Sequence, residues 1–293
     1  MTKSAAKKRP GARSMVGPRR APARSTADTS KPVLVNPPPS PKLALLGVNL
    51  DHIATLRRLR GTPYPDVLEA AFLVEKAGAH QITVHLREDR RHIQEDDVKR
   101  LRASLHLPLN LEMAATEEMS RFARKIRPEW VCIVPEKRQE VTTEGGLDLK
   151  KGARRLASVI GPLKKAGVWV SLFVEPSLPA MRQSAELGAD AVELHTGRYC
   201  LNTQAGPNAV KKADAELQRI RAAAELARKL GLRAHAGHGL DAENVRPLAA
   251  WEMAEGAGPL IQEYNIGHYL ICRAALVGME RAVREMLSAI HAP

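Results

Sequence analysis

The chain has 293 residues, 44% of them hydrophobic, and a formal net charge of +13 at pH 7. This composition excludes a collagenous protein, and the length allows one (β/α)8 barrel, a fold that commonly occupies about 250 residues. The longest apolar runs have the length of strands, far below the roughly 20 residues of a transmembrane helix, so no membrane partner is expected.

The first 42 residues differ in composition from the rest. They contain ten Lys and Arg residues and a single acid, Asp28, so the remaining chain carries a net charge of only +4. They are rich in Pro, Ala and Ser, and prolines at 37, 38, 39 and 41 oppose regular structure near their end. We expect residues 1–42 to form a disordered basic extension and residues 43–293 to form the catalytic domain.

From Leu43 onward, short apolar runs alternate with segments of helical periodicity. The runs predict eight strands, at Leu43–Val48, Gln81–Val84, Pro108–Leu111, Trp130–Val134, Val168–Val174, Ala191–Leu194, Arg233–Ala236 and Glu263–Ile266. The segments between them predict helices, clearest at Pro65–Ala77, Asp96–Ser104, Thr116–Ile126, Leu156–Ala166, Ala213–Leu230 and Val277–Ile290. Several of these helices end at a glycine before the next strand, namely Gly78, Gly167, Gly188 and Gly231. The repeated alternation favours a (β/α)8 TIM barrel over an open doubly wound sheet.

A polar or ionisable residue follows every predicted strand. In chain order these residues are Asn49, Asp51 and His52; His85 and Arg87; Glu112; Glu136 and Arg138; Glu175; Glu193 and His195; His238; and Gly267 with His268. One such residue alone is more often a solvated side chain, but the C-terminal ends of barrel strands converge on one face. We therefore predict a crowded acid/base site in which His85, His238 and Glu112 exchange protons near neutral pH.

Glycines at the ends of the last two strands suggest an anion site. The motifs Gly237-His238-Gly239 and Gly267-His268 would let backbone N–H groups approach a phosphate, which barrels commonly hold at this place, although tight turns explain the glycines equally well. Further anion donors are Arg60, Arg87 and the Thr142-Thr143 pair.

Three other functions are alternatives to this acid/base enzyme with a phosphate site. A Schiff-base aldolase is not favoured, because no predicted strand contains a lysine. A metal-dependent sugar-phosphate epimerase stays open, because His85, Glu112, His238 and His268 could together hold a divalent ion. Nucleic-acid binding through the basic tail is not favoured, because aromatic residues, on which bases could stack, make up only 3% of the chain.

The three cysteines, Cys132, Cys200 and Cys272, are far apart and form no CxxC pair. We expect neither a disulfide framework nor a structural zinc site, and we expect a reducing cytoplasmic compartment.

Seven segments closely resemble the pyridoxine 5'-phosphate synthase family. They are GVNLDHIATLRRLRGT (47–62), ITVHLREDRRHI (82–93), NLEMA (110–114), VPEKRQEVTTEGGLD (134–148), VELHTG (192–197), AGHGL (236–240) and NIGH (265–268). The resemblance spans roughly residues 43–290, and its long motifs are highly specific. The chain departs from the family in its basic N-terminus and in residues 251–262, which look longer than usual.

The resemblance implies a barrel with extra helices that assembles as a homo-octamer and needs no metal or organic cofactor. The implied reaction condenses 3-amino-2-oxopropyl phosphate with 1-deoxy-D-xylulose 5-phosphate to give pyridoxine 5'-phosphate, phosphate and water. By motif, His85 and Glu112 match the proton acceptors, His238 the proton donor, and Glu193 a group that stabilises a transition state. The implied substrate contacts are Asn49, Arg60, Gly239, Gly267 and His268 for the aminooxopropyl phosphate, and Asp51, His52, Arg87, His92 and Thr142 for the deoxyxylulose phosphate.

Overall fold

The computed structural model of the chain describes residues 40–136, 145–205, 209–253 and 258–292. Its strands are β1 (Leu45–Asn49), β2 (Gln81–His85), β3 (Leu109–Met113), β4 (Trp130–Ile133), β5 (Trp169–Val174), β6 (Ala191–His195), β7 (Arg233–Gly237) and β8 (Glu263–Ile266). Neighbouring strands pair in parallel, and β8 pairs with β1, so the sheet closes into a barrel. The predicted (β/α)8 barrel is confirmed, and the open doubly wound sheet is excluded.

All eight predicted strands are present, with ends that shift by no more than two residues. Only the bounds of β8 match residue for residue. The shifts are largest at β1 and β3, where the strand continues to the polar residue that the sequence placed just beyond it. Asn49 and Glu112 therefore belong to the strands themselves, whose backbone holds them in place.

The helices are more numerous than the periodicity predicts. They are α1 (Asp51–Arg60), α2 (Val67–Ala77), α3 (Glu95–Ser104), α4 (Glu117–Ile126), α5 (Leu149–Lys165), α6 (Leu178–Glu186), α7 (Gly197–Gln204), α8 (Val210–Lys229), α9 (Arg246–Ala249), α10 (His268–Val277) and α11 (Met279–His291). The pattern predicts six of them, α2, α3, α4, α5, α8 and α11. The clearest omissions are α1 and α10, which begin within two residues of a strand and so leave no room for a loop signal.

Helix ends follow the expected chemistry. Gly78 ends α2 in the left-handed conformation with a φ of 96°, a region that an L side chain rarely adopts. The other predicted stop glycines, Gly167, Gly188 and Gly231, have φ values of 80°, 78° and 81°. At the other end, the Asp66 carboxylate accepts a hydrogen bond from the backbone N–H of Leu68 and starts α2.

The interior of the barrel is unusually polar. Barrel interiors are typically filled by branched apolar side chains. Here the strand positions whose side chains meet inside the barrel include Gln81, Thr83, Glu193, Glu263 and Asn265, all 6% exposed or less. The apolar core lies instead between the strands and the helices, where Ile82, Val84 and Leu111 are fully buried. The barrel therefore carries hydrogen-bonding groups from its interior up to its C-terminal face.

Residues 1–39, nearly all of the expected basic extension, lie outside the described residues. At the edge of the described chain, the Ser40 hydroxyl accepts hydrogen bonds from Arg228 Nη2 (3.0 Å) and Gln262 Nε2 (2.8 Å). Within residues 251–262, Glu252 pairs with Pro259 in an antiparallel bridge. Among the helices described, none combines the length and the apolar character needed to cross a bilayer.

Candidate active site

A cavity of about 800 Å³ opens at the C-terminal face of the barrel. Twelve of the fourteen predicted site residues line it: Asn49, Asp51, His52, His85, Arg87, His92, Glu112, Glu193, His238, Gly239, Gly267 and His268. Two do not. Arg60 is exposed at the C-terminal end of α1, away from the cavity lining, and Thr142 lies outside the described residues.

Helix α1 brings two of these residues into the cavity. Asn49 links the end of β1 to the helix, because its Oδ1 accepts from the backbone N–H of Asp51 (2.9 Å) and its Nδ2 donates to Asp51 Oδ2 (3.0 Å). Further along the helix, Arg57 makes a two-pronged ion pair with Asp97 at 2.8 and 2.6 Å. The start of α1 is thus tied to β1 and its last turn to α3, which fixes Asp51 and His52 at the cavity wall.

One side of the cavity holds a group that we call the carboxylate cluster, formed by Asp51, His85, Glu112 and Glu136. His85 stands at its centre. Its backbone N–H donates to Asp51 Oδ1 (2.7 Å), its Nε2 lies 2.9 Å from Glu136 Oε1, and its Nδ1 lies 3.8 Å from Glu112 Oε2. The imidazole is held between two carboxylates, an arrangement that fixes its orientation and suits proton transfer.

The pKa values of the two glutamates of the carboxylate cluster are shifted in opposite directions. Burial, with the nearby charges of Glu193 and Asp51, raises the pKa of Glu112 well above its ordinary value. Burial also acts on Glu136, but its hydrogen bond and charge interaction with His85 prevail and lower the pKa of Glu136. Glu112 is therefore a weaker acid, and in its ionised form a stronger base, than an exposed glutamate, while Glu136 stays ionised beside His85 at neutral pH.

Phe173 and His238 line the opposite side of the cavity, and with the neighbouring His195 they form a group that we call the ring cluster. The His195 and His238 rings pack edge to face with their centroids 4.7 Å apart. The Phe173 ring centroid lies 5.3 Å from that of His195. Behind them, His195 Nδ1 is 2.8 Å from Glu175 Oε1, and Arg219 Nη2 donates to Glu175 Oε2 at 3.2 Å. The hydrogen bond with His195 lowers the pKa of Glu175 to about 2, so an ionised carboxylate orients the His195 ring.

His238 sits on strained backbone. Its φ is 81°, and the Thr196 hydroxyl donates to the carbonyls of Gly237 (2.8 Å) and His238 (2.7 Å), which holds this turn in place. Burial, and to a lesser extent the neighbouring His195, lowers the pKa of His238 to about 4. Before any ligand binds, the His238 ring is therefore neutral at physiological pH.

The end of β8 leads directly into a helix N-terminus at the cavity. Helix α10 begins at His268, immediately after Gly267. A Cβ on Gly267 would lie 3.0 Å from Asn49 Cβ, so glycine allows β1 and β8 to approach closely there. The free N–H groups of a helix start favour an anion, in line with the predicted phosphate position. Nearby, Gly239 has a φ of 83°, and a Cβ there would lie 2.9 Å from Cys200 Cβ.

The structure also brings forward residues whose roles the sequence did not assign. Glu136 and His195 were predicted only as strand-end residues, and their contacts with His85 and His238 come from distant parts of the chain. Asn265 lines the cavity floor and was noted only as part of the NIGH motif. A signal for it existed, because Glu263 and Asn265 are polar residues two positions apart on one face of a strand.

Asp51, His85 and Glu112 offer ligand atoms within 4.8 Å of one another, a spacing that could accept a divalent cation. Two of these residues, His85 and Glu112, also belong to the metal site that the sequence left open as an alternative. Both oxygens of Asp51 already accept hydrogen bonds, from His85 and Asn49. A cation at this place would have to displace those bonds.

A closed barrel with ionisable groups gathered at its C-terminal face defines the class, an acid/base enzyme on a (β/α)8 scaffold. The chain belongs to the family of the pyridoxal phosphate biosynthesis protein PdxJ, whose model matches residues 46–292. The resemblance seen in the sequence motifs is thereby confirmed.

Two relatives and one solved structure illustrate the likeness. The pyridoxine 5'-phosphate synthase of Thioalkalivibrio sulfidiphilus (strain HL-EbGR7) is 52% identical over 245 residues, which cover 84% of this chain and 95% of the relative. That of Rhodospirillum rubrum is 53% identical over 241 residues, covering 82% and 92%. The phosphoribosyl anthranilate isomerase of Thermus thermophilus aligns with a TM-score of 0.52 at 14% identity, over 85% of this chain and 98% of its own, and shows the fold alone.

Proposed function

We propose that the chain is a pyridoxine 5'-phosphate synthase, which condenses 3-amino-2-oxopropyl phosphate with 1-deoxy-D-xylulose 5-phosphate. The products are pyridoxine 5'-phosphate, phosphate and water. The observation that carries this proposal is the gathering of His85, Glu112, Glu193 and His238 around one cavity at the strand ends. The named relatives, about half identical over nearly their whole length, support the same reaction.

The reaction needs several proton transfers within one site. The amine of one substrate adds to the ketone of the other and water leaves, after which phosphate is eliminated and a second condensation closes the ring. Each step moves a proton on or off carbon, nitrogen or oxygen. In this proposal His85 and Glu112 accept protons in the carboxylate cluster, and Glu136 holds His85 in position for that task.

His238 is the proposed proton donor on the opposite side. Its neutral ring must gain a proton before it can give one to a departing oxygen. Two anionic phosphates in the cavity would favour the charged imidazolium and raise the pKa of His238 from about 4. Substrate binding itself would then cause His238 to take up the proton that it later donates.

We propose that the two phosphates lie at different ends of the cavity. The aminooxopropyl phosphate would lie near Gly239, Gly267 and the start of α10, while the deoxyxylulose phosphate would lie near Arg87, His52 and His92. Burial lowers the pKa of both His52 and His92, so these rings too would be neutral until an anion arrives.

The placement of Arg60 supports an assembly of several copies, which we propose to be a homo-octamer in the cytoplasm. Arg60 matches a substrate contact by motif, yet it is exposed and lies outside the cavity of its own protomer. Leu56 and Leu59 on the same helix are 48% and 71% exposed, which is typical of a surface that another copy covers. From such an interface Arg60 would be available to the cavity of a neighbouring copy.

The proposed function is tested by incubating the purified chain with the two phosphorylated substrates and following the pyridine chromophore. We expect product both before and after exhaustive chelation of metal ions. Absence of product under all conditions would refute the proposal. Activity that disappears on chelation and returns with one divalent ion would instead favour a metal site at Asp51, His85 and Glu112.

A further inference from the structure

Close to Glu193, the barrel interior holds a second buried carboxyl group, that of Glu263. The amide of Asn265 lies between the two. Its Nδ2 donates to Glu193 Oε2 at 2.9 Å and to Glu263 Oε1 at 3.2 Å, and the three side chains are 6% exposed or less. One amide group thus joins a carboxyl of the cavity floor to a carboxyl that does not line the cavity.

The orientation of the Asn265 side-chain amide is fixed by the hydrogen bond to its oxygen. Thr83 Oγ1 donates to Asn265 Oδ1 at 2.9 Å, which leaves Nδ2 to face the carboxyl groups. The Thr83 hydroxyl in turn accepts from Asn110 Nδ2 at 3.3 Å, so its own hydrogen is available for Asn265. The Asn265 amide is therefore held at both ends.

Two glycines inside strands make room for this arrangement. A Cβ on Gly47 would overlap Asn265 Oδ1, and a Cβ on Gly237 would overlap Glu193 Oε1. Glycine in the middle of a strand weakens it and often marks a close approach of another group. At these two positions the approaching groups are the amide and the carboxyl that it binds.

We propose that Asn265 is a positioning residue for Glu193, and that Glu263 acts through it to decide whether Glu193 carries a proton before substrate binds. This inference rests on the proposed function, in which Glu193 stabilises a transition state. A protonated Glu193 can donate a hydrogen bond to a substrate oxygen on which negative charge develops. An ionised Glu193 would repel that charge.

The charged and titratable groups around the two carboxyls come from several strands. Glu112 faces Glu193 from β3 and the Cys132 thiol from β4, with its sulfur 3.9 Å from Glu193 Oε2. From β7, His235 Nδ1 lies 3.8 Å from Glu263 Oε1 and Arg233 acts on Glu263 electrostatically.

Burial dominates the acid strength of both carboxyls. It raises the pKa of Glu193 to about 8, an effect that the Asn265 hydrogen bond opposes and the charge of Glu263 reinforces. It raises the pKa of Glu263 to about 7, against the effects of Arg233, Asn265 and Gln81. Two such groups in contact with one amide titrate as a pair, so a change in one is expected to alter the other.

The test follows the Glu193 carboxyl directly, by NMR titration of the full chain labelled with ¹³C at the glutamate side-chain carboxyl. The resonance is assigned by its loss in Glu193→Gln. In Glu263→Gln we expect the Glu193 midpoint to fall by about one pH unit, because a neighbouring negative charge is removed. In Asn265→Ala we expect it to rise, because the donor that favours the ionised form is lost. The matched control is Asn244→Ala, a buried amide whose hydrogen bonds are with Asp241 and Gly239 and with neither carboxyl, and there the Glu193 midpoint should stay in place.

Kinetics provide a second readout. In Asn265→Ala we expect kcat to fall while KM for both substrates stays within about twofold, the pattern of a lost transition-state interaction. Should Asn265→Ala fail to fold, Thr83→Val frees the amide to turn and should move the midpoint in the same direction by less. Unchanged Glu193 midpoints in both Glu263→Gln and the amide variant would overturn the inference, as would a raised KM with unchanged kcat. A wild-type chain without synthase activity would refute the proposed function. The NMR titration would still show whether the Glu193 and Glu263 carboxyls are coupled through Asn265.

Discussion

The carboxylate cluster and the ring cluster face each other across the cavity, and they are held by different forces. In the carboxylate cluster, His85 is fixed by hydrogen bonds of 2.7 Å to Asp51 and 2.9 Å to Glu136. In the ring cluster, His238 is held by packing against Phe173 and His195 and by its backbone carbonyl. The first contains ionised Glu136 before substrate arrives, while the His238 ring of the second is ordered but neutral.

This difference suggests a division of labour. A proton acceptor becomes charged when it takes up a proton, and ionised Glu136 beside His85 would stabilise the imidazolium that His85 then forms. The proposed donor, His238, becomes charged only when anionic substrates bind. Before that it carries no extra proton that it could lose to water. Variants that act on one cluster at a time should therefore give distinguishable defects.

The largest effect is expected from the proton acceptors of the carboxylate cluster. Either His85→Ala or Glu112→Gln should reduce product formation by about 10²- to 10⁴-fold, the usual contribution of a general acid or base. Circular dichroism and thermal unfolding should show an intact barrel, and Glu225→Gln on the exposed face of α8 should keep full activity. Full activity in both His85→Ala and Glu112→Gln would contradict the acid/base assignment.

A smaller effect is expected from the residue that holds His85. Glu136→Gln replaces a charge-assisted hydrogen bond with a neutral one of roughly half the strength, a loss of about 1–1.5 kcal/mol and so of about fivefold to tenfold in kcat. Steady-state rates with both substrates would measure it. The control is Glu117→Gln, which breaks an exposed ion pair with Arg124 and should change nothing measurable. A Glu136→Gln variant as fast as wild type would mean that His85 needs no such support.

The smallest expected effect concerns the ring cluster. It is measured as the fraction of a proton that each chain takes up when an anion binds. Binding of sulfate at pH 7 should be accompanied by proton uptake, because a dianion raises the pKa of buried neutral imidazoles, including His238 at about 4. Calorimetry in buffers of different ionisation enthalpy measures this uptake, and sulfate has no proton of its own to release. In His238→Asn the uptake should decrease. Sulfate binding without proton uptake would contradict this prediction, because it would mean that the imidazoles are charged beforehand or do not respond to the anion.

Much of the scaffold could be predicted because its signals are local. The eight strands follow from short apolar runs, and glycines such as Gly78 and Gly231 mark where helices must end in a left-handed turn. The cavity residues follow from the same reasoning, since the strands of a barrel all end at one face. Helices α1 and α10 escaped prediction because they start almost at the strand end, where the same polar residues read as a loop.

The order of elements, the barrel and the identity of the groups at its C-terminal face were thus determined by the sequence alone, through periodicities of two and 3.6 residues. The partner of each group was decided only by the tertiary structure. Gln81 meets Glu263 across 182 positions of sequence, and His85 meets Glu136 across 51. Such pairs depend on strand register and barrel closure, which set the distance between side chains that no local pattern connects. The polar barrel interior and the orientation of His85 became apparent for that reason only in three dimensions.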